Sequence, residues 1–106
     1  MSKQVDIATK VKTGLRNSSD KRFMLLFTAP WSPFSDSLDI IARKVKKVEE
    51  NLEVIVVDLE EYPEIQTNYG ISHVPTIILI SDKQIKFRVE RMMSKKEILK
   101  MLDLHK

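Results

Sequence analysis

Apolar residues along the chain fall into blocks separated by polar turns, and the spacing within each block points to an element. Val5, Ala8, Val11 and Leu15 recur near the helical period and predict a first helix, which Asn17-Ser18-Ser19-Asp20 ends in a turn. Arg22 to Thr28 holds the unbroken apolar run Phe23-Met24-Leu25-Leu26-Phe27, the mark of a strand buried on both faces and therefore central. Beyond the loop Ala29 to Phe34, the residues Leu38, Ile41, Ala42, Val45 and Val48 mark one face of a long helix. Arg43, Lys44 and Lys47 lie elsewhere around it.

Val54-Ile55-Val56-Val57 predicts a second strand, and Pro63 to Tyr69 a short helix stopped by Gly70. Pro75 opens a third apolar run, Thr76 to Ile80. Ser81-Asp82-Lys83 then turns the chain into Gln84 to Val89, giving a β-hairpin. Ser94 and Glu97 have capping-box spacing ahead of Ile98, Leu99 and Leu102, so a C-terminal helix closes the order α, β, α, β, α, β, β, α. Alternation followed by a hairpin calls for an α/β fold with a mixed sheet covered by helices.

Composition changes this picture little. A chain of 106 residues, 42% hydrophobic and 31% charged, suits one domain spanning residues 1–106 with a core of its own. No apolar stretch reaches the roughly 18 to 20 residues of a membrane span, and no basic segment leads into an apolar signal core. The expected location is the cytoplasm. Asn17-Ser18-Ser19 matches a glycosylation sequon, which carries no weight without a secretory signal. The net charge of +3 could attract an acidic partner, yet Arg43, Lys44, Lys46 and Lys47 run straight into Glu49 and Glu50 without interleaved aromatics. That pattern is the solvated face of a helix and argues against nucleic acid.

The chain has no cysteine, hence no disulfide, no thiolate nucleophile and no thiolate metal site, and its two histidines make no metal centre by themselves. No cofactor is expected.

One segment carries a family likeness. Phe27-Thr28-Ala29-Pro30-Trp31-Ser32-Pro33-Phe34-Ser35 resembles the thioredoxin active-site segment, normally F-x-A-x-W-C-G-P-C, with the spacing kept and both cysteines replaced by serine. The resemblance continues in Val57-Asp58, Tyr62-Pro63-Glu64, Tyr69-Gly70-Ile71, Val74-Pro75-Thr76 and Met93-Ser94-Lys95, and it covers the chain from about Arg22 to the end. It implies the thioredoxin fold, a central mixed sheet of at least four strands flanked by helices.

In that family the first cysteine attacks as a thiolate, its pKa lowered by a helix amino end. Ser32 stands at the attacking position and Ser35 at the resolving one. A hydroxyl lacks the acidity and the sulfur exchange chemistry, so dithiol–disulfide exchange is lost at both steps. The family pattern also places a buried carboxylate six residues before the first cysteine and a buried lysine on the neighbouring strand. Here those positions hold Leu26 and Val56. The Gly-Pro between the cysteines is Pro33-Phe34, and the glycine before the last helix is Arg91. The family's cis X-Pro bond, which presents main-chain groups to an extended substrate segment, matches Val74-Pro75.

Each of these residues also has a plainer role. Trp31 and Phe34 suit an exposed binding surface, and Trp31 could instead pack over its loop. Pro75 suits an architectural turn. Ser32 and Ser35 suit capping of a helix start. With His73 they invite a hydrolase reading, against which stand the absence of an evident carboxylate to orient His73 and of a nucleophile elbow.

The favoured expectation is a redox-inactive protein-binding module that keeps the substrate-docking groove, built from Trp31, Pro33, Phe34, Val74, Pro75 and Arg91, for a protein partner or extended polypeptide. The rival is a thioredoxin-type protein-disulfide reductase whose two cysteines were changed to Ser32 and Ser35. The resemblance would then imply a flavin-dependent thioredoxin reductase as electron donor. A third reading is a structural subunit or processivity factor that uses the same surface.

Overall fold

The structure is a computed structural model that describes residues 22–82 and 84–105. The helix expected from Val5 to Leu15 and the turn after it lie outside the described residues. The elements run β1 (Arg22–Thr28), α1 (Ser35–Val48), β2 (Leu52–Asp58), α2 (Pro63–Tyr69), β3 (Thr76–Ser81), β4 (Gln84–Val89) and α3 (Lys95–Leu104). The sheet order is β2-β1-β3-β4, so the most apolar strand has a neighbour on each side. β1 pairs parallel with β2, a geometry that needs a crossover, and α1 supplies it. β3 runs antiparallel to both β1 and β4. This is the expected α/β architecture of a mixed sheet with helices on its faces.

Alternation along the strands feeds two cores. Leu25, Phe27, Ile55, Val57, Ile78 and Ile80 face α2, with Ile65 and Ile71 closing that side. Met24, Leu26, Ile77 and Leu79 face the other way, onto Leu38 and Val45 of α1 and Ile98 and Leu102 of α3. The single apolar run of β1 thus serves both sides of the sheet, which is why Met24 to Phe27 are each at most 1% exposed.

Three local features depart from, or refine, the sequence pattern. Val48, expected on the buried face of α1, is 52% exposed. At about 100° per residue, ten residues from Leu38 carry it roughly 80° off the buried stripe. β2 starts at Leu52, two residues before the apolar run, and Leu52 is fully buried. In β4 the register shifts, Leu79 pairing Phe87 while Ile80 pairs Ile85, so one extra residue is accommodated. The bulge puts Ile85 on the opposite face from Phe87, at the sheet edge, where it is half exposed.

The helix ends are chemically specified. Gly70 takes φ +60 after α2, the left-handed conformation that favours glycine, and the Ile71 N–H donates back to the Gln66 carbonyl at 3.0 Å. At α3 the expected capping box is formed: the Glu97 N–H donates to Ser94 Oγ at 3.1 Å and the Ser94 N–H to Glu97 Oε1 at 3.0 Å. Among the described residues no helix is long and apolar enough to cross a membrane.

Candidate functional site

The site lies where three connections meet at one end of the sheet. The parallel register sets Thr28 opposite Asp58, so the loops leaving β1 and β2 emerge side by side. β3 enters antiparallel with Thr76 opposite Phe27, which brings the segment before it, residues 71–75, to the same end. Between these connections lies a cleft of about 240 Å³. Its apolar lining is Ala29, Trp31, Leu59, Ile71 and Val74, and Glu60, Gln66, Ser72 and His73 add polar groups. Trp31 is 69% exposed, a large area of aromatic surface open to a partner.

Ser32 is buried, and its Oγ accepts the Phe34 N–H at 3.2 Å. Its own N–H donates to the Ala29 carbonyl at 3.0 Å, folding the loop tightly. Ser35 is the first residue of α1, and the cap residue is Phe34, which offers no side-chain cap bond. The capping expectation is therefore corrected. Ser32 satisfies one amide just ahead of the helix, and Ser35 is inside it.

His73 does have a carboxylate: Glu90 Oε1 stands 3.3 Å from its Nδ1. The partner sits on the loop after β4, seventeen residues away with no motif to join them, so only the fold reveals the pair. No hydrogen bond connects His73 to Ser32 or Ser35 among the described residues, and the Ser32 hydroxyl is engaged by backbone. The serine–histidine constellation is not assembled for hydrolysis.

The remaining expected residues separate. Val74 lines the cleft with Trp31, and the Val74–Pro75 peptide bond is cis, with Pro75 buried beneath. Pro33 and Phe34 are exposed but lie outside the cleft lining. Arg91 lines a different depression, of about 300 Å³, with Met93 and Glu97. Its guanidinium donates to the Met92 carbonyl and to Glu97 Oε2, both at 3.0 Å. Hydrogen bonding from the Ser94 backbone, and then Arg91, holds the Glu97 carboxyl below its usual range. Arg91 thus ties the entry of α3 rather than the cleft. Leu59 and Glu60, just past the end of β2, were missed, although two adjacent parallel strands place the residues just past their carboxyl ends together; Ile71, ahead of β3, has no such signal.

A second expectation gains meaning from register. Leu26 and Val56, which stand where the family pattern has its carboxylate and lysine, are direct partners across β1 and β2. Leu26 is fully buried, and Val56 packs on the same cluster. Where family members set an ion pair, this chain sets two apolar side chains side by side, an exchange that costs a fold little when both partners change.

The wall of the cleft is braced from β4. Arg88 donates to the Tyr69 carbonyl at 2.6 Å and the Gly70 carbonyl at 2.7 Å, and its Nε donates to Glu90 Oε2 at 3.1 Å. Glu90 in turn holds His73. Arg88→Ala is expected to cost about 2 kcal/mol, because two charge-assisted bonds to backbone carbonyls, one of them part-buried, are removed together. Amide exchange should speed up selectively at residues 70–74. Exchange that quickens evenly over the sheet would show that Arg88 does not brace this segment.

Tyr69 packs its ring 5.7 Å from that of Phe27, and its buried hydroxyl has no hydrogen-bond partner among the described residues. Burial pushes the phenol pKa up. Tyr69→Phe should therefore leave stability unchanged or raise it by about 1 kcal/mol, read from the urea midpoint. A clear loss would mean that the hydroxyl is bonded after all.

Comparison with known proteins agrees with the site's motifs. The family model described as Thioredoxin matches residues 5–104. The chain belongs to the thioredoxin family. It is 26% identical over 87 residues to chloroplastic thioredoxin Y1 of Arabidopsis thaliana, covering 81% of this chain and 51% of that protein. It therefore spans about half the length of that relative. A thioredoxin of Rickettsia bellii is 33% identical over 69 residues, covering 64% of this chain and 66% of the other. Among solved structures, Fasciola hepatica thioredoxin superposes with TM-score 0.82 at 17% identity over 93% of this chain and 94% of its own. A malaria parasite thioredoxin-2, described as a component of protein secretion machinery, gives 0.76 at 21% identity over 80% and 84%. These likenesses establish the thioredoxin fold.

Proposed function

We propose that this thioredoxin-family chain is a redox-inactive binding module that docks an extended polypeptide segment in the cleft between Trp31 and Val74. The observation that carries this reading is an exposed tryptophan beside an apolar-floored cleft in a chain that has no cysteine. Loss of both thiols removes exchange chemistry, while the contact surface next to it is kept. Pro33 and Phe34 extend that surface past the mouth of the cleft, and Arg91 has no part in it.

The alternative, a protein-disulfide reductase altered only at Ser32 and Ser35, is disfavoured by Leu26 and Val56. Removal of two thiols would leave a neighbouring carboxylate and lysine in place. Here both positions are apolar and paired across two strands.

Selection of peptides from a random display library against the chain tests the docking reading. Bound peptides should shift the amide resonances of residues 29–34, 59–60 and 71–74. Peptides that shift only α1 or α3, or a library that yields no binder, would overturn it.

A further inference from the structure

The polar rim of the cleft is unevenly charged. From Asp58 to Ser72 the chain carries four carboxylates, Asp58, Glu60, Glu61 and Glu64, and no lysine or arginine, in a protein whose net charge is +3. Glu60 lines the cleft directly, beside Trp31 and Leu59. Glu60, Glu61 and Glu64 are exposed, and their carboxylates join no ion pair or hydrogen bond among the described residues. Asp58 uses one oxygen to accept the Glu60 N–H at 2.9 Å.

The nearby cations are in the opposite condition. Arg88 is held by the Tyr69 and Gly70 carbonyls and by Glu90, and Arg91 by Glu97. Among the described residues, the cleft therefore presents unpaired negative charge and no unpaired lysine or arginine.

From this, resting on the docking reading above, we infer that the occupant is an extended segment of a partner protein that carries lysine or arginine next to an apolar residue. The apolar residue fills the floor made by Ala29, Leu59 and Ile71. The basic residue pairs with Glu60 at the rim, and its cation gains further attraction from the exposed Trp31 ring. An acidic segment would meet like charge at Glu60 and find no free cation to offset it.

Trp31 is the sole tryptophan of the chain, so its emission reports on this cleft alone. The test titrates the chain with three synthetic peptides that share one apolar centre and differ only in flanking Lys, Ser or Glu residues. The Lys peptide should perturb Trp31 emission with about tenfold higher affinity than the Ser peptide, and its advantage should shrink as salt rises. Glu60→Lys should abolish that advantage.

Equal affinity for the Lys and Ser peptides, or preference for the Glu peptide, overturns the inference and leaves the docking reading standing. A Lys preference that survives Glu60→Lys overturns the assignment to this rim. No change in Trp31 emission with any peptide overturns both.

Discussion

Leu26→Asp is expected to cost the fold about 4 kcal/mol at neutral pH, the largest effect of any single change considered for this chain. The side chain is fully buried in the centre of β1 among Met24, Leu38, Val45, Ile77 and Leu79, with Val56 as its neighbour across the strands. None of these apolar side chains can pair a carboxylate, so burial raises its folded-state pKa above the unfolded value. The folded state then holds a proton that the unfolded state has released, and stability falls as pH climbs from the unfolded pKa towards the folded one. Urea unfolding near pH 4 should consequently show a smaller penalty than at pH 7. The double variant Leu26→Asp/Val56→Lys should recover part of the loss by restoring a partner. A Leu26→Asp protein as stable as its parent at both pH values would show that this part of the core is not dry.

Trp31→Ala should separate binding from folding. A side chain 69% exposed contributes little to the core, so the urea midpoint should move by no more than about 0.5 kcal/mol. Affinity for a docked peptide should fall about thirtyfold or more, as befits a central aromatic contact. Calorimetry is the readout, since the substitution removes the only tryptophan. Phe34→Ala should cost less, because Phe34 lies outside the cleft lining. Unchanged affinity in Trp31→Ala would eliminate the cleft as the binding surface.

Much of this architecture could be read from residue order because the local signals agree with one another. The run from Phe23 to Phe27 announced a strand buried on both faces, and it became β1, flanked on each side. Ser94 and Glu97 announced a capped helix, and both hydrogen bonds are formed. What stayed hidden depends on relations across the sheet. The direct pairing of Leu26 with Val56 is set by strand register, which neither residue encodes alone. Glu90 reaches His73 from another strand's end, a contact with no periodic signature. Arg91 was placed in the groove by family position. Its guanidinium is instead drawn to Glu97, six residues on, by an ion pair that the family's glycine at that position could not form.

The central claim is that this site has left redox chemistry and keeps its surface for binding. Ser32→Cys/Ser35→Cys, kept reduced by a small dithiol so that no reductase need recognise it, tests this most directly. Its rate of reducing a protein disulfide should be measured beside that of a redox-active thioredoxin. With Leu26 in place of the carboxylate that assists proton transfer, the restored pair should be about a hundredfold slower or worse. A rate within a few-fold of the active enzyme would mean that only the two thiols were missing, and would contradict the account.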